Sequence, residues 1–250
     1  MANIPEAIKV SYASFSDQLP ATLLKNAKVL AGNDKLQASY CRLAGFNSIK
    51  RDIVDYQLKE GPKRFFYEAH NDLLLSHVNA NLGSWRTALQ SLRSFIENSL
   101  SAFYFADHSV EMRRWEAGDL KIAPKELREY FSVHPDITKL SPGFKVKEVL
   151  DQEYATLSKA VHASNNLFRM TDQDGTIAIG NPNLADLGKW ATRKQAAFEI
   201  VVVIAMVCLK DHVEGAKLPN LRKTLSLSLR KSCRNALNAA FGISIQEPDI

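Results

Sequence analysis

The sequence is poor in the features that announce a known chemistry. Its three cysteines, Cys41, Cys208 and Cys233, are an odd number and show no CxxC spacing. Neither a disulfide framework nor a sulfur-ligated zinc site can be built from them, and a reducing, cytoplasmic setting fits best. Met1–Val10 carries Glu6 and lacks a basic start followed by an apolar stretch, so no secretory signal is expected there. The one strongly apolar run, 196–209, is about fourteen residues long and contains Glu199. A bilayer span needs ~20 apolar residues, so no membrane partner is expected and the run reads as a central buried helix. Also absent are GxxxxGK[ST], GxGxxG and GxSxG, which argues against nucleotide hydrolysis, dinucleotide chemistry and hydrolase-type acyl transfer. No cofactor is expected.

Apolar residues make up 46% and charged residues 24%, ordinary values for a globular chain of 250 residues with a sizeable core. The net charge of +5 permits a polyanionic partner without requiring one. No β-type alternation longer than a few residues occurs, and no repeat of 20–50 residues stands out. The expectation is an all-α protein, a multi-helix bundle forming a single helical domain over 1–250.

Taken in order, residues 1–16 lack a strong period and read as a loosely ordered lead-in. Leu19–Leu30 reads as helical, with Pro20 near its start, before Gly32-Asn33-Asp34 breaks it. Lys35–Leu58 follows, with an interruption at Gly45–Asn47 and an end at Gly61-Pro62. Arg64–Asn79 and Trp85–Tyr104 form the next pair, the second with Trp85, Leu89, Leu92, Ile96, Leu100 and Phe103 at helical spacing. Residues 107–143 read as an irregular, insertion-like elaboration with short helices at Val110–Glu116 and Pro124–Phe131. Val146–Arg169 should be a long helix, followed by a turn at Thr171–Gly175 and a brief strand at Thr176–Ile179. Asn181-Pro182-Asn183 caps the buried helix Leu184–Asp211, and Leu221–Phe241 is the last helix, stopped by Gly242.

Within this plan two helices carry candidate chemistry. Tyr154, Ser158 and His162 are spaced i, i+4, i+8, so their polar groups form one stripe. Arg93 and Glu97 are spaced i, i+4 on the earlier helix. If the helices pack side by side, an arginine, a carboxylate and an imidazole share one cleft. Arginine suits phosphate because its planar fork bonds two oxygens and stays charged, and histidine exchanges protons near neutral pH. That pairing suits RNA cleavage, where a 2′-hydroxyl loses a proton and a phosphorane is stabilised. The same spacing also fits a plain Arg–Glu bridge beside a buried histidine.

The segments Leu92-Arg93-Ser94-Phe95-Ile96-Glu97 and Tyr154-Ala-Thr-Leu-Ser158-Lys-Ala-Val-His162-Ala-Ser resemble members of the HEPN-related helical families of bacterial defence and abortive infection. The resemblance covers two short patches. It implies a bundle of four to five helices, often a homodimer with the active site at the two-fold interface. It also implies metal-independent endoribonuclease activity, possession of RNA as substrate, and a partner protein of the same defence system. On that reading His162 is the general acid or base, Arg93 the phosphate clamp and Glu97 its orienter. Ser158 and Tyr154 position the imidazole or a phosphate oxygen. The family signature places an arginine, then four to six intervening residues, then the histidine in one segment. Here those positions hold Ala155, Thr156 and Leu157, so Arg93 must supply the cation from another helix. The literal spacing does occur as Arg64…His70 and Arg128…His134; chance is the preferred reading of both, with Arg64 and His70 kept as a second-choice site. Arg64 and His70 lie about 120° apart around their helix, and His134 precedes Pro135.

A second candidate is a basic face near the C-terminus formed by Arg222, Lys223, Arg230, Lys231 and Arg234, with Lys223, Arg230 and Arg234 on one side. Phosphate contacts need little beyond charge with reach, so this face is a nucleic-acid-binding candidate. No aromatic interleaves with it, which argues against single-strand stacking. His70 and His77, seven apart with Glu68 and Asp72 nearby, lack the further ligands a metal needs, so no metal site is expected. The alternative to the nuclease is a non-catalytic helical module that holds nucleic acid or a partner protein.

Overall fold

The computed structural model describes residues 4–140, 144–161, 180–213 and 219–245. Among these the chain is all-α, with no strand. The principal helices are α1 (Ile4–Leu30), α2 (Asp34–Ile49), α3 (Glu60–Asn81), α4 (Trp85–Asp107) and α5 (Ser109–Glu116). They continue as α6 (Pro124–Val133), α7 (Val146–Val161), α8 (Leu184–Cys208), α9 (Pro219–Ser228) and α10 (Lys231–Phe241). The expected extension of α7 through Arg169, the Thr171–Gly175 turn, the Thr176–Ile179 strand and His162 itself lie outside the described residues. No helix among the described residues is long and apolar enough to cross a membrane.

α8 is the centre of the bundle. Asn183 caps it, its side chain accepting the Asp186 N–H at 2.7 Å. From Ala197 to Val207 every side chain is buried, the all-round apolar character of a helix with neighbours on every side. Around it, α3 and α4 form an antiparallel hairpin through the turn at 82–84. Gly83 adopts a φ of 71°, and a Cβ there would lie 2.6 Å from the Pro182 nitrogen, so glycine is required twice over. Trp85 Nε1 donates to the Asn181 carbonyl at 2.7 Å and Asn26 Nδ2 to the Leu82 carbonyl at 3.3 Å, tying α1 and the approach to α8 to the same turn.

Several expectations change. The lead-in at 1–16 is helical from Ile4, part of a single α1 in which Pro20 sits in the middle rather than near the start. Pro20 faces solvent, where the carbonyl left without its helical partner can bond water. Gly45 does not interrupt α2. It lets α2 approach α9, since a Cβ there would stand 2.7 Å from Ser228 Oγ. α2 runs on through one π-helical turn at Lys50–Val54, and Gly61-Pro62 opens α3 instead of closing what precedes it. In the 107–143 region both short helices form as expected, yet α6 buries Leu127 and Phe131 in the common core, so it is a member of the bundle. Finally, the expected last helix is two helices, α9 and α10, broken at Leu229-Arg230. The cause is Glu199, buried in α8, which accepts the Arg230 backbone N–H at 3.0 Å and draws the chain out of helical register.

Candidate functional site

α4 and α7 pack against one another, and the seam between them gathers the predicted residues. The apolar ridge of α4 (Leu89, Leu92, Ile96 and Leu100 among others) points into the core, which turns Arg93 and Glu97 to its edge. On α7, Leu150, Leu157 and Ala160 are buried, which leaves Tyr154 and Ser158 on the flank. Arg93 Nε donates to Glu97 Oε1 at 3.0 Å and Arg93 Nη2 to the Tyr154 hydroxyl at 2.7 Å. The Tyr154 hydroxyl in turn donates to Glu97 Oε1 at 2.7 Å, closing a three-member ring across 61 residues of sequence. Partial burial works against the Arg93 charge, but the hydrogen bond and charge of Glu97 outweigh it and raise the guanidinium pKa. Burial, then the Glu97 bond, raises that of the Tyr154 phenol.

Arg128, set aside as half of a chance motif, belongs to this seam. Its guanidinium lies 4.0 Å from the centroid of the Tyr154 ring, with that of Arg93 at 4.9 Å. Arg128 is itself paired with Asp151 at 2.9 Å. On the inner side of α7, buried Glu153 bonds Arg193 of α8 at 2.7 Å. Ser158 is half-buried, and its hydroxyl oxygen is buried without a hydrogen-bond partner. His134, the other half of the motif, turns instead to Asp107 at 3.5 Å, while its Nδ1 accepts the Asp136 N–H at 3.2 Å.

Asp72 of α3 extends the polar seam and was missed as part of it. Asn98 Nδ2 donates to it at 2.8 Å. Burial, helped by the charges of Glu68 and Glu97 and opposed by the Asn98 bond, raises its pKa to about 6. A carboxyl that titrates there can take or give a proton near neutrality. The sequence signal was the Glu68–Asp72 pair at i, i+4, which gained meaning only once α3 lay against α4.

The C-terminal cations are not presented as one face. Lys223 and Lys231 are exposed but stand on different helices, on either side of the break. Arg230 is bound bidentately by Glu199, and Arg234 is buried. Arg222 is half-buried and donates to the Val213 carbonyl at 3.5 Å. The shared side of Lys223, Arg230 and Arg234 is therefore corrected: the Glu199 contact that breaks the helix also removes the continuous stripe. His70 and His77 separate too, His70 stacking on Phe46 and His77 Nδ1 meeting Ser39 Oγ at 2.9 Å. Among the described residues no group of three or more His, Cys, Asp or Glu side chains is placed to hold a metal.

No protein-family model, no curated protein and no solved structure matches this chain.

Proposed function

We propose that this chain is a HEPN-like RNA-cleaving protein of a bacterial defence or stress system, acting without metal in the cytoplasm as a homodimer. One observation carries the reading. The two patches that carry the resemblance, 92–97 and 154–164, are far apart in sequence, and Arg93 and Tyr154 from them are hydrogen-bonded at 2.7 Å. In the proposed reaction His162 exchanges the proton of the attacking 2′-hydroxyl or the leaving oxygen. Arg93, released in part from Glu97, clamps the phosphate, and Arg128 adds a second positive charge beside it. Tyr154 and Ser158 position the phosphate or the imidazole, and Glu97 holds Arg93 ready between turnovers.

A second reading has its own support. Arg93 and Arg128 are already satisfied by Glu97, Tyr154 and Asp151, an arrangement that also serves simply to fasten α7. On this reading the protein is a non-catalytic helical module that holds nucleic acid or a partner protein.

The discriminating experiment is cleavage of total RNA by purified protein in chelator, beside Arg93→Ala and His162→Ala, with fold checked by circular dichroism. The nuclease reading expects cleavage by the wild type and at least about a hundredfold loss in each folded variant. Cleavage that survives both substitutions rejects the site. An inactive wild type that still retards RNA in a gel supports the second reading, and one that does neither rejects RNA altogether.

A further inference from the structure

α1 is anchored at one end only. Asn26 and Leu30 are its buried residues, and Leu19, Thr22, Leu23 and Ala27 are half-covered. The same apolar line continues toward the N-terminus uncovered: Ile4 is 71% exposed, Ile8 62%, Tyr12 69% and Phe15 50%. At 100° per residue Ile4, Ile8, Tyr12, Phe15 and Leu19 fall within about 80° of one another, a single stripe. Ala7 and Ser11 lie between the larger residues and form a shallow hollow lined by Ile4, Ala7, Ile8, Ser11, Tyr12 and Phe15. Four large apolar side chains on one overhanging helix make a surface that a monomer does not ordinarily leave bare.

We infer that this half of α1 is the docking surface for a second copy of the chain, the two helices pairing antiparallel about a two-fold axis between Ser11 and Tyr12. The stripe maps onto itself under that operation. Ile4 meets the partner's Leu19, Ile8 the partner's Phe15, and Ser11 the partner's Tyr12, so small faces large at the axis and apolar faces apolar away from it. An isologous contact of this kind requires such self-complementarity. The inference rests on the homodimer reading above and gives it a surface, and it is independent of RNA cleavage.

Chemistry selects this occupant over others. The stripe carries no charge, so it offers nothing to a nucleic acid. The charged residues from Ile4 to Leu19 are Glu6, Lys9 and Asp17. An interfacial helix on an anionic lipid surface carries lysines and arginines along its polar face, and this segment has an acidic excess. In the antiparallel pair Glu6 and Asp17 point away from the contact, so they do not oppose it. Sixteen residues of overlap give a contact roughly 24 Å long. The area removed from water is on the order of 1,000 Å² in total, the lower edge of specific association, which implies a reversible dimer.

The test uses the full chain. Sedimentation of the wild type should show a monomer–dimer equilibrium, weakened at least about a hundredfold by Ile8→Glu and left unchanged by Val10→Glu, which lies on the opposite side of α1. Neither residue is buried in the monomer, so the fold is not at stake. For register, Ile8→Cys and Phe15→Cys are prepared separately with the native cysteines replaced by alanine, then mixed under mild oxidation. Disulfide-linked dimer is expected in the mixture and not in either variant alone. A wild type that stays monomeric up to about 100 μM overturns this inference and the homodimer reading together. A dimer that tolerates Ile8→Glu, or that yields no cross-link in the mixture, overturns this inference alone. A wild type that stays monomeric and binds lipid vesicles through α1 overturns both and identifies the occupant of the stripe as a lipid surface.

Discussion

Tyr154 illustrates what a single side chain does in this molecule. Its hydroxyl lies between Arg93 and Glu97, and its ring faces the guanidinium of Arg128, so one residue of α7 is tied to both α4 and α6. Asp72, close by, gives the seam a measurable pH dependence. Its pKa is raised to about 6 from the ordinary 3.8, so the fold prefers the neutral acid. Its favourable contribution is complete below about pH 4 and is lost as the pH rises through about 6. Asp72→Asn keeps the neutral form at every pH. After discounting for solvent screening it should stabilise the protein by about 1 kcal/mol at pH 7.5, with the advantage vanishing near pH 4. Urea unfolding at the two pH values checks this, and a pH-independent difference would remove Asp72 from the buried part of the seam.

At the scale of elements, the break between α9 and α10 is an electrostatic event. Glu199 is buried in α8, and Arg230 closes over it with its guanidinium and its backbone N–H. Arg230→Ala would leave a buried carboxylate without its counterion, which costs about 3 kcal/mol, whereas loss of an ordinary surface cation costs about 0.5 or less. Chemical denaturation distinguishes the two, and the smaller value would return Arg230 to the basic face proposed from sequence. Helix existence was largely legible in the chain: the ridge of α4, the caps at Asn183 and Gly242 and the short α5 and α6 all stand where period and breaker residues put them. What misled were Pro20, Gly45 and Gly61-Pro62. Each has a local meaning as a breaker, and each is overruled by its surroundings: solvent around Pro20, the close approach of α9 at Gly45, and a first-turn position for Pro62.

For the whole molecule, one apolar core joins α2–α4 and α6–α10, while α1 touches it only at its C-terminal end. Stability should therefore be uneven along the chain. In native-state hydrogen exchange the amides of α8 should open only with global unfolding, and those at 7–18 of α1 should exchange at least about a thousandfold faster in dilute monomer. Protection of the same amides at high protein concentration would accompany dimer formation, and equal protection at all concentrations would mean that α1 is covered some other way.

Composition and periodicity alone fixed the helical class, because a 3.6-residue apolar rhythm and an absence of alternation leave no surface on which to build a sheet. They also chose Arg93, Glu97 and Tyr154 as residues worth watching. Which of these meet was decided by tertiary structure, since hydrogen bonds spanning 57 and 61 residues depend on how two apolar faces pack and leave no local trace. The same holds for Arg128 and Asp72, drawn into the seam from neighbouring helices, for Arg230, which stays exposed but has its charge paired with a carboxylate in α8, and for Arg234, which is buried. A charge in a sequence carries its sign but not its partner, and the partner determines whether that charge faces a ligand or the protein itself.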